Sequence, residues 1–228
     1  NTYKIGNITT DLLVEITFSE KIKSFVNNGL NYLVSSFEDK TVIVDKGKYE
    51  HYLDIPATTT YQDYVWTVIG INKDIINENK SIASIIWNPD TVFEISISNP
   101  NFLLYVKSAD YAPVSITNII INGIAERITL TDAVDENDFY CPKNFTAKSI
   151  NYTHNYNMAT GIGESKGWDT IVLPFDVQKI SHPSKGEILP YSNWEKEKNK
   201  KPFWLMEYGS EGWKGAESIK ANIPYIIS

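Results

Sequence analysis

The side chains that could perform chemistry are few and widely separated. The three histidines, His51, His154 and His182, lack the His-x-His or His-x-x-x-His spacing that places two zinc ligands together. The one cysteine, Cys141, can form neither an intramolecular disulfide nor a Cys-x-x-Cys motif. We interpret Cys141 as a small hydrophobe packed at the end of a strand, with a catalytic thiol as the alternative. We expect no cofactor, and for the histidines a zinc site assembled from distant residues is the alternative.

Acidic residues cluster in one segment, at Asp132, Asp135, Glu136 and Asp138. Calcium prefers such oxygen-rich loops, but the spacing and the central glycine of an EF-hand are absent. The segment is therefore interpreted as a solvated acidic loop. A weak calcium site formed by Asp132, Asp135 and Asp138 is the alternative.

Motifs for nucleophilic catalysis or phosphate binding are missing. There is no Gly-x-Ser-x-Gly elbow. The glycines at 161, 163 and 167 precede an apolar run that begins at Trp168, which predicts a strand where a phosphate loop would require a helix N-terminus. We predict a hairpin loop here, and the chain as a whole is predicted not to be an enzyme.

Aromatic residues are abundant, with 14 tyrosines and 6 tryptophans. Most lie within apolar alternation, which favours a role in core packing. The C-terminal third differs, because aromatic residues there flank polar loops and could be exposed. The candidate ligand-binding residues are Tyr191, Trp194, Tyr208 and Trp213.

Alternation with a period of two residues dominates the chain and predicts strands. One example is 93–98, where Phe, Ile and Ile alternate with Glu, Ser and Ser. Helical patterns are confined to 19–27 and 73–80. Asn122-Gly123, between apolar runs at 119–121 and 128–130, predicts a β-hairpin, because this pair readily adopts positive φ.

These patterns predict a mainly β fold. A composition break over residues 99–113 suggests a boundary, with an N-terminal β region at 1–108 and an antiparallel β module at 109–228. We expect the N-terminal β-hairpin and degenerate repeat region to pack on a C-terminal module resembling an antiparallel β-sandwich.

Four segments of the N-terminal half, residues 29–32, 40–44, 55–61 and 66–71, form a recognisable set of motifs. Together they resemble the opening of BspA-like leucine-rich-repeat surface proteins. The chain departs from the family pattern at 73–79, and only 81–87 is similar to a following repeat strand. The resemblance implies one or two degenerate repeats, too few for a solenoid to stand alone.

A second set of motifs lies at residues 99–106, 145–147, 167–175 and 221–227. These residues resemble a module found at the C-terminal ends of Bacteroidales surface proteins. The resemblance implies export and a surface or adhesive role, and it supplies no catalytic residue. It also leads us to expect that the chain is a fragment of a longer protein.

The net charge of −7 argues against a nucleic-acid partner, because phosphates require a basic surface. No apolar run approaches the roughly 18 residues of a membrane-spanning helix. We expect a non-catalytic secreted or cell-surface module with a structural or adhesive role, whose partner is an extracellular protein or glycan. The first alternative is a carbohydrate-binding module that uses exposed aromatics, and the second is a secreted hydrolase.

Overall fold

The computed structural model describes residues 21–132, 139–155, 167–194 and 201–228. Helices in these ranges are single turns: α1 (Ile75–Glu78), α2 (Tyr191–Trp194) and the 3-10 helix Ala109–Tyr111. Strands supply nearly all the remaining regular structure. The predicted mainly β fold is confirmed, and α1 lies within the helical pattern at 73–80.

The strands are named here in chain order. They are β1 (Ser24–Asn27), β2 (Leu30–Ser36), β3 (Thr41–Val44), β4 (Tyr52–Ile55), β5 (Thr58–Tyr61), β6 (Tyr64–Ile71), β7 (Ser84–Trp87), β8 (Leu103–Val106), β9 (Ile119–Ile121), β10 (Ile124–Ala125), β11 (Ile128–Thr131), β12 (Thr146–Ala147), β13 (Ile150–Thr153), β14 (Asp169–Ile171), β15 (Ile180–His182), β16 (Gly186–Pro190), β17 (Lys201–Phe203), β18 (Leu205–Gly209), β19 (Gly212–Gly215) and β20 (Tyr225–Ile227).

The first sheet has the strand order β1-β2-β3-β6-β5. The predicted helix at 19–27 is wrong over its last four residues, because Ser24–Asn27 forms β1 and pairs antiparallel with β2. Asn28 and Gly29 between them have φ of 47° and 78°. A turn with two positive φ angles reverses the chain tightly, and the hairpin buries Phe25 in the core.

The second sheet has the order β12-β10-β9-β8-β7-β4, and we call it the parallel sheet because β4, β7, β8 and β9 run in the same direction. Every residue of β7 and β8 is buried. A strand covered on both faces needs apolar side chains at successive positions. β8 is apolar at every position, and β7 is apolar at every position after Ser84.

One face of the parallel sheet packs on the main core and the other is crossed by residues 139–147, which we call the strap. The core face carries Ile85, Trp87, Leu104 and Val106. On the opposite face, the Tyr105 hydroxyl donates a hydrogen bond to the carbonyl of Lys143 in the strap (2.9 Å). The strap ends in β12, which adds to the sheet beside β10.

Two buried asparagines take the place of a neighbouring strand along one edge of β11. The Asn118 side-chain amide donates to the Thr129 carbonyl (2.9 Å) and accepts from the Thr129 N–H (2.7 Å). Asn101 makes the same pair of bonds with Thr131, both at 2.7 Å. The other edge of β11 pairs with β13. Backbone groups on both sides of this strand are thereby satisfied.

Two predicted strand arrangements differ from the structure. The segment 93–98 buries Phe93 and Ile95 and exposes Glu94, as its alternation predicts, but it belongs to no strand. Asn122-Gly123 does form a turn with positive φ, yet β9 pairs across it with β10, while 128–130 forms β11 beside β13. Periodicity reports which face a side chain occupies, whereas pairing depends on distant segments.

The chain divides into two compact units, Asn1–Thr153 and His154–Ser228. The division predicted at 108/109 lies inside the first unit, between β8 and β9, which pair with each other. The second unit contains a four-stranded antiparallel sheet, in the order β14-β20-β18-β19, and a three-stranded sheet, in the order β15-β16-β17.

Candidate functional site

Side chains of the four-stranded sheet alternate between a buried and an exposed face. The buried face carries Ile171, Leu173, Leu205, Tyr225 and Ile227. The residues between them, including Trp168, Thr170 and Val172 around β14, point the other way and are exposed. This sheet therefore has one buried apolar face and one exposed face that carries a tryptophan.

The strand register aligns the side chains of this face into rows, which include the half-buried Met206 and Ile226. Thr170 pairs with Ile226, and Ile226 pairs with Met206. Tyr208, two residues along β18, pairs with Trp213 on β19. The resulting surface, which we call the aromatic face, consists of Trp168, Thr170, Val172, Met206, Tyr208, Trp213 and Ile226.

Tyr208 and Trp213 form the most exposed aromatic pair of this face. Their ring centroids lie 5.1 Å apart at an interplanar angle of 65°. Tyr208 is 67% exposed and Trp213 is 52% exposed. Gly212, with φ of 95°, closes the turn that joins their strands, and a side chain there would be strained. Both aromatics were candidates from sequence, and the structure places them together.

Tyr191, a third candidate, lies against Trp204. The two rings are stacked at 4.5 Å and 12°, and Tyr191 is half-buried. Its neighbour Ser192 donates a hydrogen bond to the carbonyl of Ala216 (2.6 Å), which fixes α2 beside the sheet. The side chain of Trp194, the fourth candidate, lies outside the described residues.

Gly215 permits the close approach of α2. A Cβ atom at this position would lie 3.2 Å from the Cβ of Ser192. Because Gly215 pairs with Met206, a side chain at position 215 would lie on the aromatic face, next to Met206. The helix therefore approaches the sheet beside Met206 and leaves Tyr208 and Trp213 open to solvent.

Sequence reasoning missed Trp168 and Val172, which are 48% and 55% exposed. The signal was present, because they flank Thr170 at two-residue intervals while the intervening Ile171 is buried. Side chains alternate between the two faces of a strand, so a tryptophan that alternates with buried residues is expected on the exposed face. This pattern could have identified Trp168 from the sequence.

Among the residues that the structure describes, the aromatic face carries no charged side chain. Glu207 and Lys214 belong to the same two strands, but they alternate with Tyr208 and Trp213 and therefore point to the opposite side. They pair with each other there, with 3.6 Å between Glu207 Oε1 and Lys214 Nζ. The surface is consequently suited to neutral or apolar ligand groups.

The carboxylate of Asp176 binds the loop that leads into β20. The Asp176 carboxylate accepts a hydrogen bond from the Ala221 N–H (2.9 Å) and another from Lys220 Nζ (3.2 Å). Hydrogen bonds to the ionised form hold the pKa of Asp176 below its ordinary value. This contact ties the chain after β14 to the residues that precede β20.

The calcium prediction falls mostly outside the described residues, which omit Asp135 and Asp138. Asp132 is described, and it accepts a hydrogen bond from the Tyr152 hydroxyl at 2.7 Å. Across the described ranges, no group of three or more His, Cys, Asp or Glu side chains is arranged to hold a metal ion.

The histidines and the cysteine have separate surroundings. His51 stacks on Tyr140, His154 Nε2 lies 3.4 Å from Asp169 Oδ2, and His182 faces the turn that follows it. Cys141 is exposed, so the prediction that it packs as a small hydrophobe is wrong. Its Sγ lies 3.4 Å from the Tyr105 hydroxyl, and burial raises the pKa of that tyrosine above its ordinary value. A neutral phenol does not activate a thiol as a nucleophile.

In the part of the chain that the structure describes, none of the helices has the length and apolar composition needed to cross a membrane. Comparison of the chain with protein-family models, with curated proteins and with solved structures finds no match. The functional interpretation therefore depends on the geometry of the chain itself.

Proposed function

We propose that this chain is a non-catalytic, adhesive binding module of a secreted or cell-surface protein and that it contacts an extracellular protein or glycan through the aromatic face. The observation that carries the proposal is the exposure of Trp168, Tyr208 and Trp213 on one uncharged sheet surface.

Exposed aromatic residues in a group favour binding. A sheet normally directs large apolar side chains toward its core, and the opposite face of this same sheet already does so with Ile171, Leu205 and Ile227. Large exposed apolar patches are a common feature of interaction surfaces. Aromatic side chains also bury much area on binding while losing little conformational freedom.

The alternative of a secreted hydrolase requires a cleft in which paired acids converge. Two cavities in the described part of the chain, one beside Phe102 and one beside Ile121, have a single carboxylate, Glu126, in their linings. Hydrolysis of a glycosidic bond by paired acids would require two converging carboxylates.

The parallel strands support the proposed relation to repeat-containing surface proteins. β4, β7, β8 and β9 stack in register, so that Leu53, Ile85, Leu104 and Ile119 form one row. Stacked parallel strands of this kind are what a short leucine-rich-repeat stub would contribute. On this proposal, residues 81–87, which contain β7, are the repeat strand of a degenerate BspA-like stub within residues 1–108, too short to form a solenoid alone.

Carbohydrate recognition is the second candidate function. The exposed Thr170 hydroxyl lies on the same face as Trp168, which combines an aromatic surface with a hydrogen-bonding group. Sugars have apolar C–H faces that pack on aromatic rings and hydroxyls that require polar partners.

The aromatic face can be tested with purified chain on a glycan array and on immobilised extracellular-matrix proteins. We expect Trp213→Ala and Tyr208→Ala each to weaken binding about tenfold, since truncation of a central aromatic contact costs about 1.4 kcal/mol or more. Lys214→Gln is the matched control, because it changes the same strand on the opposite face and should retain wild-type affinity.

Binding to glycans alone would establish the carbohydrate-binding alternative, whereas binding to matrix proteins alone would establish a protein ligand. Wild-type affinity in both aromatic variants, with folding verified by circular dichroism, would refute the aromatic face as the binding surface.

A further inference from the structure

A second surface feature lies in the first unit, separate from the aromatic face. An open groove of about 670 Å³ is lined by the loop around Pro113 and by the β9–β10 hairpin. Pockets for small ligands commonly have volumes of about 300–1,000 Å³. We call this feature the isoleucine groove, after Ile116, Ile119, Ile121 and Ile124 in its wall.

The isoleucine groove is an opening of the hydrophobic core to solvent. Ile119 and Ile121 pack against buried core residues at the base. Ile124 is 53% exposed, and Val114 at the rim is fully exposed. The lining contains no aromatic ring, and apart from Thr117, Glu126 and Arg127 its residues are aliphatic. Filling the groove with an alkyl group would remove this aliphatic surface from water.

The rim carries one acidic and one basic side chain, Glu126 and Arg127. Glu126 forms an ion pair with Lys148, with 2.6 Å between Glu126 Oε1 and Lys148 Nζ. Its neighbour Arg127 forms no ion pair or hydrogen bond with the described residues, and it is the single arginine of the 228-residue chain. A guanidinium with free donors favours a carboxylate, which can accept two parallel hydrogen bonds.

The strands of the groove offer no edge to a peptide. β9 is hydrogen-bonded to β8 and β10, and β10 is hydrogen-bonded to β9 and β12. A peptide bound in extended form needs backbone partners for its N–H and C=O groups. An alkyl chain has no such requirement, and the aliphatic wall therefore favours it over a peptide.

We propose that the isoleucine groove binds a medium-chain fatty acid, with the alkyl chain along Ile119, Ile121 and Ile124 and the carboxylate on Arg127. Arg127 at the rim and the apolar wall match the two ends of such a molecule. This site is independent of the proposed adhesive function, because it lies in the other unit and uses none of the aromatic-face residues.

The proposal is tested by calorimetric titration of the full chain with octanoate, decanoate and dodecanoate below their micellar concentrations. We expect saturable binding with a stoichiometry of one, and an affinity that increases about two- to fourfold for each added methylene. Arg127→Gln should weaken decanoate binding about fivefold and leave decanol binding unchanged, because decanol lacks the charge.

Ile124→Ser should weaken decanoate and decanol alike, since it removes an apolar wall residue whose exposure makes the substitution tolerable to folding. Val65→Ser and Lys48→Gln, at exposed positions outside the groove, should bind decanoate as the wild type does. The proposal is overturned if decanoate does not bind saturably, if affinity is independent of chain length, or if Arg127→Gln lowers decanol and decanoate affinity equally.

Discussion

At the scale of single residues, Asn118 shows how a side chain can complete a sheet. It is 1% exposed, and its amide also donates to the Pro100 carbonyl at 3.0 Å. With the two bonds to Thr129, it satisfies backbone groups of two separate segments. Because these groups are buried, removal of the amide would leave donors and acceptors without partners.

Asn118→Ala is therefore expected to destabilise the first unit by about 3 kcal/mol, since it removes three hydrogen bonds and leaves backbone groups unsatisfied. Urea unfolding at pH 7 measures the change. Asn144→Ala removes an exposed asparagine of the strap and should alter stability by no more than about 0.5 kcal/mol. Equal midpoints for the two variants would contradict the role assigned to Asn118.

At the scale of elements, the strap is held by contacts with three strands of the parallel sheet. Tyr140 stacks on Tyr52 of β4 at a centroid distance of 5.5 Å. Tyr105 of β8 bonds to Lys143, and the Thr146 N–H donates to the carbonyl of Gly123 at 2.9 Å. These contacts explain how the buried Ile86 and Tyr105 can occupy a sheet face that does not belong to the main core.

The strap contact gives a prediction about alkaline pH. Burial raises the pKa of Tyr105, so the folded chain holds this proton more tightly than the unfolded chain does. The associated stability is present below the ordinary tyrosine pKa of about 10 and is lost as pH rises above it. Tyr32 and Tyr49, whose pKa values burial also raises, act in the same direction.

Tyr105→Phe should lower stability at pH 7 by about 1 kcal/mol through the lost hydrogen bond, and should lose less stability than the wild type between pH 9 and 11. Unfolding in urea across this pH range is the measurement. At pH 7, hydrogen exchange should accelerate at the amides of Thr146 and Lys148 and stay unchanged at Thr67 in the first sheet. If the wild type and Tyr105→Phe lost the same amount of stability between pH 9 and 11, Tyr105 would not be the source of this pH dependence.

The elements also show what the sequence could predict and what it could not. Thr41–Val44 is a strand with the bounds of its apolar run, and Tyr208 and Trp213 are exposed, as their polar neighbours indicated. The partners of β7 were not predictable, since Tyr52 and Leu103 lie far from Ser84 in the chain and align only in the folded sheet. The isoleucine groove could not be predicted either, because the loop around Pro113 and the β9–β10 hairpin form its wall only in the folded chain.

At the scale of the whole chain, each of the two units has its own buried residues. Leu104 is fully buried in the first unit and Leu205 is 2% exposed in the second. Units with separate cores can unfold in separate transitions, and the stability of each then depends on its own packing. The binding surfaces proposed above would accordingly be lost at different points of a thermal unfolding experiment.

Leu205→Ala should lower the stability of the second unit by about 3 kcal/mol, because it leaves a cavity beneath the aromatic face, while Leu104→Ala should do the same to the first unit. Hydrogen exchange detected by mass spectrometry on peptides from both units would separate the effects. Upon warming, Leu205→Ala should lose Trp213-dependent binding while decanoate binding persists, and Leu104→Ala should show the reverse order. A single transition that both substitutions shift equally would mean that the two cores unfold as one.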